Sequence, residues 1–236
     1  MRTVEEQNRG QQVMVVAAHP DDVEFTSGGT VAKWALEGAD VRYVLCTDGS
    51  KGGDDLMIDD MTLRDLREAE QRAAAEALGV KEVVFLRHPD GDLASAVGLR
   101  LELVVLIRKW RPHTLLTWDA WRPYQLHPDH RAAGLVAVET VLAAGNPRFF
   151  PELANEGLKA HQIAEIYLFG SDAPDIWVDI SDTFEHKLKA LACHRSQIGD
   201  GAYAMAQIEG CNRAMGQQHG VTVAEAFKVL HPFCEK

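Results

Sequence analysis

Cysteine is scarce in this chain: Cys46, Cys193, Cys211 and Cys234 are the four it has, and no two stand in a C-x-x-C pair. That scatter argues against a thiolate zinc site and a disulfide scaffold. Cys46, inside an apolar run, reads as core. Long hydrophobic runs are missing too. No stretch of eighteen apolar residues offers a spanning helix, and the opening Met1-Arg2-Thr3-Val4-Glu5-Glu6 is too polar for a signal peptide. These absences predict a cytoplasmic protein without membrane insertion. Positive charge is also short, with 24 Lys and Arg against 35 Asp and Glu and a net charge of -11. That balance argues against nucleic acid as a partner, because phosphate binding needs clustered cations. Neither Gly28-Gly29 nor Gly49-Ser50-Lys51-Gly52-Gly53 matches a dinucleotide or Walker pattern. Those glycines read as tight turns and close backbone approach.

What is present is an ordinary globular composition of 236 residues, 46% hydrophobic and 25% charged. With no linker or repeat, residues 1–236 read as one domain, beginning with a polar arm over 1–12. Beyond the arm, apolar runs alternate with amphipathic stretches. Val13–Ala18, Val41–Cys46, Val83–Leu86 and Thr114–Thr117 read as strands. Thr30–Glu37, Thr62–Leu78, Leu99–Trp110 and Arg131–Ala144 read as helices, with Thr62 as a cap and Gly38 and Gly79 as stops. The alternation predicts an α/β, Rossmann-like, mostly parallel sheet with helices on both faces. Residues 145–164, rich in breakers, read as a lid or crossing loop. Ile163–Phe169 and Ile176–Ile180 read as further strands and Thr183–His194 as a helix. One or two short terminal helices then complete a decorated C-terminal third.

Two tetrapeptides carry the chemistry. His19-Pro20-Asp21-Asp22 leaves the first strand, and His127-Pro128-Asp129-His130 follows the fourth. Alone, each reads as well or better as a capping turn before a helix. Together, at one sheet edge, they offer a His, an Asp and a second His to a metal, with Asp21 left over as a base for water. A third match, His88-Pro89-Asp90-Gly91, lacks the second ligand, yet Asp90 can reach the same rim and touch substrate. Trp118, Trp121, Arg122 and Tyr124 crowd the loop before His127, where aromatic rings suit a sugar face or simple packing. Arg67 and Glu70 read as a solvated helical face beside Arg64 and Glu68, and His194 as a cap to a helix dipole. A phosphoesterase is weakened by the lack of a second carboxylate-rich site, and a non-catalytic α/β binding module leaves the paired motifs unused.

The motifs resemble those of the LmbE-like, or PIG-L, zinc-dependent N-deacetylases. The matching pieces are Ala18-His19-Pro20-Asp21-Asp22-Val23-Glu24, Gly28-Gly29-Thr30, Thr47-Asp48-Gly49, His127-Pro128-Asp129-His130 and His194-Arg195-Ser196-Gln197. The common form has Glu directly after the Asp pair; here Val23 intervenes, as in the thiol-biosynthesis and archaeal chitobiose branches. The resemblance implies zinc on His19, Asp22 and His130, with Fe(II), Co(II) or Mn(II) as alternatives. It implies Asp21 as general base, His127 as a polarising or proton-donating group, and Arg67 and the His194 motif near an N-acetylated amino sugar. It also implies a homo-oligomer, although no stripe in the sequence marks an interface. Another amide remains the alternative substrate.

Overall fold

The alternating runs form a seven-stranded sheet in the computed structural model of the chain, which describes residues 10–53 and 55–233. Strands β1 (Gln12–Ala17), β2 (Asp40–Thr47), β3 (Glu82–His88), β4 (Thr114–Trp118) and β5 (Glu165–Phe169) run parallel to one another. Strands β6 (Ile176–Asp179) and β7 (Ala224–Leu230) complete the order β3-β2-β1-β4-β5-β7-β6, with β7 antiparallel to both β5 and β6. The mostly parallel α/β expectation holds. Helices α1 (Asp22–Thr26), α2 (Gly28–Leu36), α3 (Asp60–Ala77), α4 (Leu99–Trp110) and α5 (Pro128–Gly145) follow the first four strands. Short α6 (Phe184–Leu191) and α7 (Arg195–Ile198) precede α8 (Ala202–Gln218).

β1 shows why its sequence is apolar at every position after Gln12. Met14 and Val16 face a core with Leu103 and Ile107 of α4 and Val141 of α5. Val13, Val15 and Ala17 face the opposite core, with Val31 of α2 and Ala74 of α3. Both faces of the strand are covered, so period-two alternation brings no polar position. From β1 the chain steps outward through β2 and β3, then returns to place β4 on the other side of β1. The loops leaving β1 and β4 therefore diverge, and open a crevice beyond the carboxyl ends of the strands.

Several local expectations change. Gln12 is the first residue of β1, and residues 1–9 of the expected arm lie outside the described residues. Helix α3 is capped by Asp59, whose carboxylate accepts the Thr62 N–H at 3.0 Å, so Thr62 is not the cap. Residues 145–164 are no lid over the crevice. Helix α5 rises about 27 Å over its 18 residues, so this segment leaves from the opposite end of the sheet. There it is tied down by buried Arg108, which donates to the carbonyls of Ala143, Ala144, Asn146, Phe149 and Phe150.

The terminal third holds one 17-residue helix and the strand β7 where short helices are expected. Ala224, Glu225 and Lys228 favour helix locally, and pairing with strands on both sides overrides that preference. Glu225 of β7 accepts the N–H groups of Gly29 at 3.0 Å and Thr30 at 2.7 Å, and pairs with buried Lys187 at 2.6 Å. The start of α2 is thus closed by a carboxylate from the far end of the chain. Gly29 is required there, since a Cβ would lie 2.6 Å from Ile180 Cδ1. Among the described residues no helix is long and apolar enough to cross a membrane.

Candidate active site

The chain leaving β1 turns sharply at Asp21, which sits at φ 100°. A non-glycine residue held there stores about 1–3 kcal/mol of backbone strain, a feature that clusters at functional sites. The next residue, Asp22, is folded back under the turn. Its Oδ2 accepts N–H bonds from Ala18 at 2.9 Å, His19 at 3.0 Å and the Trp118 indole at 2.8 Å. Its Oδ1 faces two imidazoles, 3.2 Å from His130 Nε2 and 3.7 Å from His19 Nδ1. Burial works to raise the Asp22 pKa, but hydrogen bonds to His130 and His19 outweigh it and hold the carboxylate well below its usual range.

The second motif arrives on α5. Pro128 takes the first helical position, which suits its fixed φ and missing N–H. His127 is the cap, with Nδ1 accepting the Asp129 N–H at 3.3 Å. That contact leaves the proton of a neutral His127 ring on Nε2. His127 stacks on His130 with centroids 4.4 Å apart and meets His19 edge-on at 4.6 Å. Burial and the neighbouring His19 and His130 charges lower its pKa, which favours the neutral ring.

Asp129 is not a helix cap. One of its oxygens accepts the Leu93 N–H at 3.0 Å, and the other accepts from Gly91 at 2.7 Å and lies 3.3 Å from His19 Nε2. Asp90 also approaches His19 Nε2, at 3.1 Å, and accepts the Lys51 N–H at 2.9 Å. Burial disfavours a charged His19, but its hydrogen bonds to Asp129, Asp22 and Asp90 outweigh it and push its pKa up to about 12. Among the described residues, two three-residue groups have ligand atoms within 4.8 Å of one another: His19, His127 and His130, and His19, Asp90 and Asp129. Motif spacing places Asp90 at this rim but does not group it with Asp129 behind His19. Because Asp129 is spent on backbone N–H groups, that group reads as the carboxylate support that orients an imidazole from behind. It does not restore the phosphoesterase.

These residues surround a cavity of about 500 Å³ whose wall includes His19, Asp21, Asp22, Asp90, His127 and His130. Arg67 also reaches it, from α3. Far from being solvated, it is 3% exposed and donates to Gly49 O and Pro20 O, both at 2.7 Å, and to Asp21 Oδ2 at 3.2 Å. Gly49 and Gly52 make room for it, since a Cβ on either would crowd its guanidinium. Burial raises the Asp21 pKa to about 7, against the opposing charge of Arg67.

The His194 motif acts from behind the wall. His194 is fully buried and lies 3.2 Å from Glu24 Oε2, and Glu24 Oε1 accepts from Gln71, which in turn accepts the Asp21 N–H. Glu70, expected on a solvated face, is buried and accepts the Ser196 N–H at 2.8 Å and its hydroxyl at 2.6 Å. Only Gln197 of this motif lines the cavity. Trp121 is not brought there either; it is 57% exposed over a separate apolar depression beside Pro123, Leu168 and Leu230. Trp118 of the aromatic stretch joins the wall instead, with Phe25 and Lys51, which have no signal in the sequence beyond proximity to a motif.

The family profile for PIG-L, described as GlcNAc-PI de-N-acetylase, matches residues 14–141, which span β1 to α5 and so hold both tetrapeptides. A diacetylchitobiose deacetylase of Thermococcus kodakarensis is 38% identical over 84% of this chain and 74% of its own length. A 1D-myo-inositol 2-acetamido-2-deoxy-alpha-D-glucopyranoside deacetylase of Mycobacterium sp. (strain KMS) is 32% identical over 91% of this chain and 84% of its own. The solved N,N'-diacetylchitobiose deacetylase of Pyrococcus horikoshii superposes with a TM-score of 0.88 at 32% identity, covering 94% of this chain and 87% of that one. With the profile running through the crevice and the likeness running through the whole fold, the chain belongs to the PIG-L, or LmbE-like, family.

Proposed function

We propose that this chain is a metal-dependent N-deacetylase acting on an N-acetylglucosamine-type amino sugar or its conjugate. The observation that carries the reading is Asp22 Oδ1 facing both His19 and His130, with Asp21 beside them on the same cavity wall. Two imidazoles and one carboxylate suit zinc and its neighbours, and three protein ligands leave room for water. On this reading His19, Asp22 and His130 hold the ion. When bound, such an ion supplies Lewis acidity that makes water a nucleophile near neutral pH.

The chain's own groups do the rest. Asp21 takes the proton from the attacking water, its Oδ2 steadied by Arg67 and its backbone by Gln71. His127, with Nδ1 occupied, donates from Nε2 to the developing oxyanion. Protonated Asp21 then returns its proton to the departing amine, and acetate is released. Asp90 and Gln197 offer polar contacts to sugar hydroxyls, and Phe25 an apolar face. One sheet carries strands from residue 12 to residue 230, which supports residues 1–236 acting as one domain.

The test is acetate release from N-acetylglucosamine conjugates and N,N′-diacetylchitobiose, before and after chelation and after zinc return. Metal-dependent acetate release is expected. Release of another acid from non-acetyl amides, with no acetate from any amino sugar, points to the other amidase reading. No hydrolysis in any arm by metal-loaded protein sinks the enzyme.

A further inference from the structure

Trp118, the last residue of β4, touches two of the three residues assigned to the metal. Its indole N–H donates to Asp22 Oδ2 at 2.8 Å, and its ring lies flat on His130, centroids 4.0 Å apart and planes 11° apart. With the Ala18 and His19 N–H groups, the indole completes three donors on one carboxylate oxygen. An oxygen so engaged has no free lone pair left to give a cation. Oδ1, by contrast, faces the two imidazoles.

The surroundings are cut to this side chain. Gly170, at φ 69°, passes so close that a Cβ there would lie 2.8 Å from the indole Cζ3. Gly134, inside α5, lies where a Cβ would strike the Trp118 carbonyl oxygen. Phe169 meets the ring edge-on at 4.8 Å, and the residue is only 8% exposed. These contacts on the ring and on the Trp118 carbonyl fix where the indole sits.

We propose that Trp118 is a positioning residue which confines Asp22 to bind a divalent cation through Oδ1 alone and sets the plane of the His130 ring. This rests on His19, Asp22 and His130 being the metal ligands. Groups one layer behind a metal typically change its affinity by about 10–100-fold when altered.

The experiment measures zinc affinity by competition with a chromophoric chelator on the full chain. Trp118→Phe keeps an aromatic ring over His130 and removes the N–H. Because that variant also leaves space unfilled, 3-benzothienylalanine incorporated at position 118 serves as the second probe; it keeps the indole outline with sulfur in place of N–H. Both are expected to bind zinc about 10–100-fold more weakly than the parent. Parental affinity with benzothienylalanine overturns the proposal, whether or not Trp118→Phe is weakened, since shape and not the N–H is then what matters. Failure of the underlying reading looks different: the parent binds no zinc, or His130→Ala binds it as tightly as the parent.

Discussion

Gln71 on α3 accepts the backbone N–H of Asp21 at 2.9 Å, and so holds a non-glycine residue at φ 100° from a helix fifty positions away. The same amide donates to Glu24 at 3.0 Å, which makes one buried side chain the bracket between the strained turn and the first helix. Gln71→Ala removes both bonds and leaves a buried carboxylate short of a donor. Loss of such partners costs about 1–3 kcal/mol. The expected result is a stability loss of that size, by urea titration, together with a fall in kcat at unchanged metal content. Unchanged kcat in folded Gln71→Ala would show that the turn keeps its shape without the bracket.

Glu24 has a second partner, and it makes stability depend on pH. Burial works to lower the His194 pKa, but the hydrogen bond and charge of Glu24, with Asp21 and Glu70, outweigh it and raise the pKa. A His raised in the folded state contributes stability that is complete below its unfolded value of about 6.5. That contribution fades as pH climbs through the raised folded value. His194→Asn cannot carry the charge, so the stability gap between parent and variant is expected to be widest below about pH 6.5 and to narrow as pH rises above it. A gap that widens with rising pH would reverse the assignment of a charged His194.

Arg67 invites a different kinetic signature from a sugar-binding arginine. Its Nη1 donates to the Gly49 carbonyl and its Nη2 to the Pro20 carbonyl and to Asp21. Arg67→Lys keeps the charge but cannot span three acceptors. The expected outcome is a fall in kcat of about tenfold or more with little change in KM, since an interaction on the base is lost and not uniform substrate binding. A KM rise at constant kcat would instead mean that the guanidinium contacts the sugar.

The contrast between Arg67 and Trp121 shows what was legible in the sequence. The two tetrapeptides could be placed because each follows an apolar run, and strand ends in an α/β sheet are where ligands gather. All five parallel strands, and β6 as well, could be read from local apolar runs. β7 could not, because Ala224, Glu225 and Lys228 lack a strand's local preference and only pairing on both sides decides their state. The polar face of α3 hid its function for a related reason. Arg67, Glu70 and Gln71 are buried by a turn and a terminal motif distant in sequence, and i,i+3 spacing carries no trace of that. Trp121 and Trp118 stand three apart in one aromatic stretch, and nothing local says which ring turns inward.

Asp21 and Asp22 are adjacent and chemically identical, so their separation of roles must come from direction alone. Asp22 has one oxygen saturated by three N–H donors and the other aimed at two imidazoles. Asp21 instead points along the cavity wall beside Arg67, with a pKa raised by burial to about 7. Asp21→Asn keeps the volume and much of the hydrogen bonding but cannot accept a proton. Metal content is expected to hold while kcat falls on the order of 10²–10⁴-fold, the usual scale for a missing general base. Asp22→Asn removes the anionic ligand, so metal affinity drops first and excess zinc restores part of the activity. The assay is metal content and acetate release for both variants across added metal. Metal loss in Asp21→Asn with retention in Asp22→Asn would mean the roles are reversed. Near-parental turnover in Asp21→Asn would remove Asp21 as the general base.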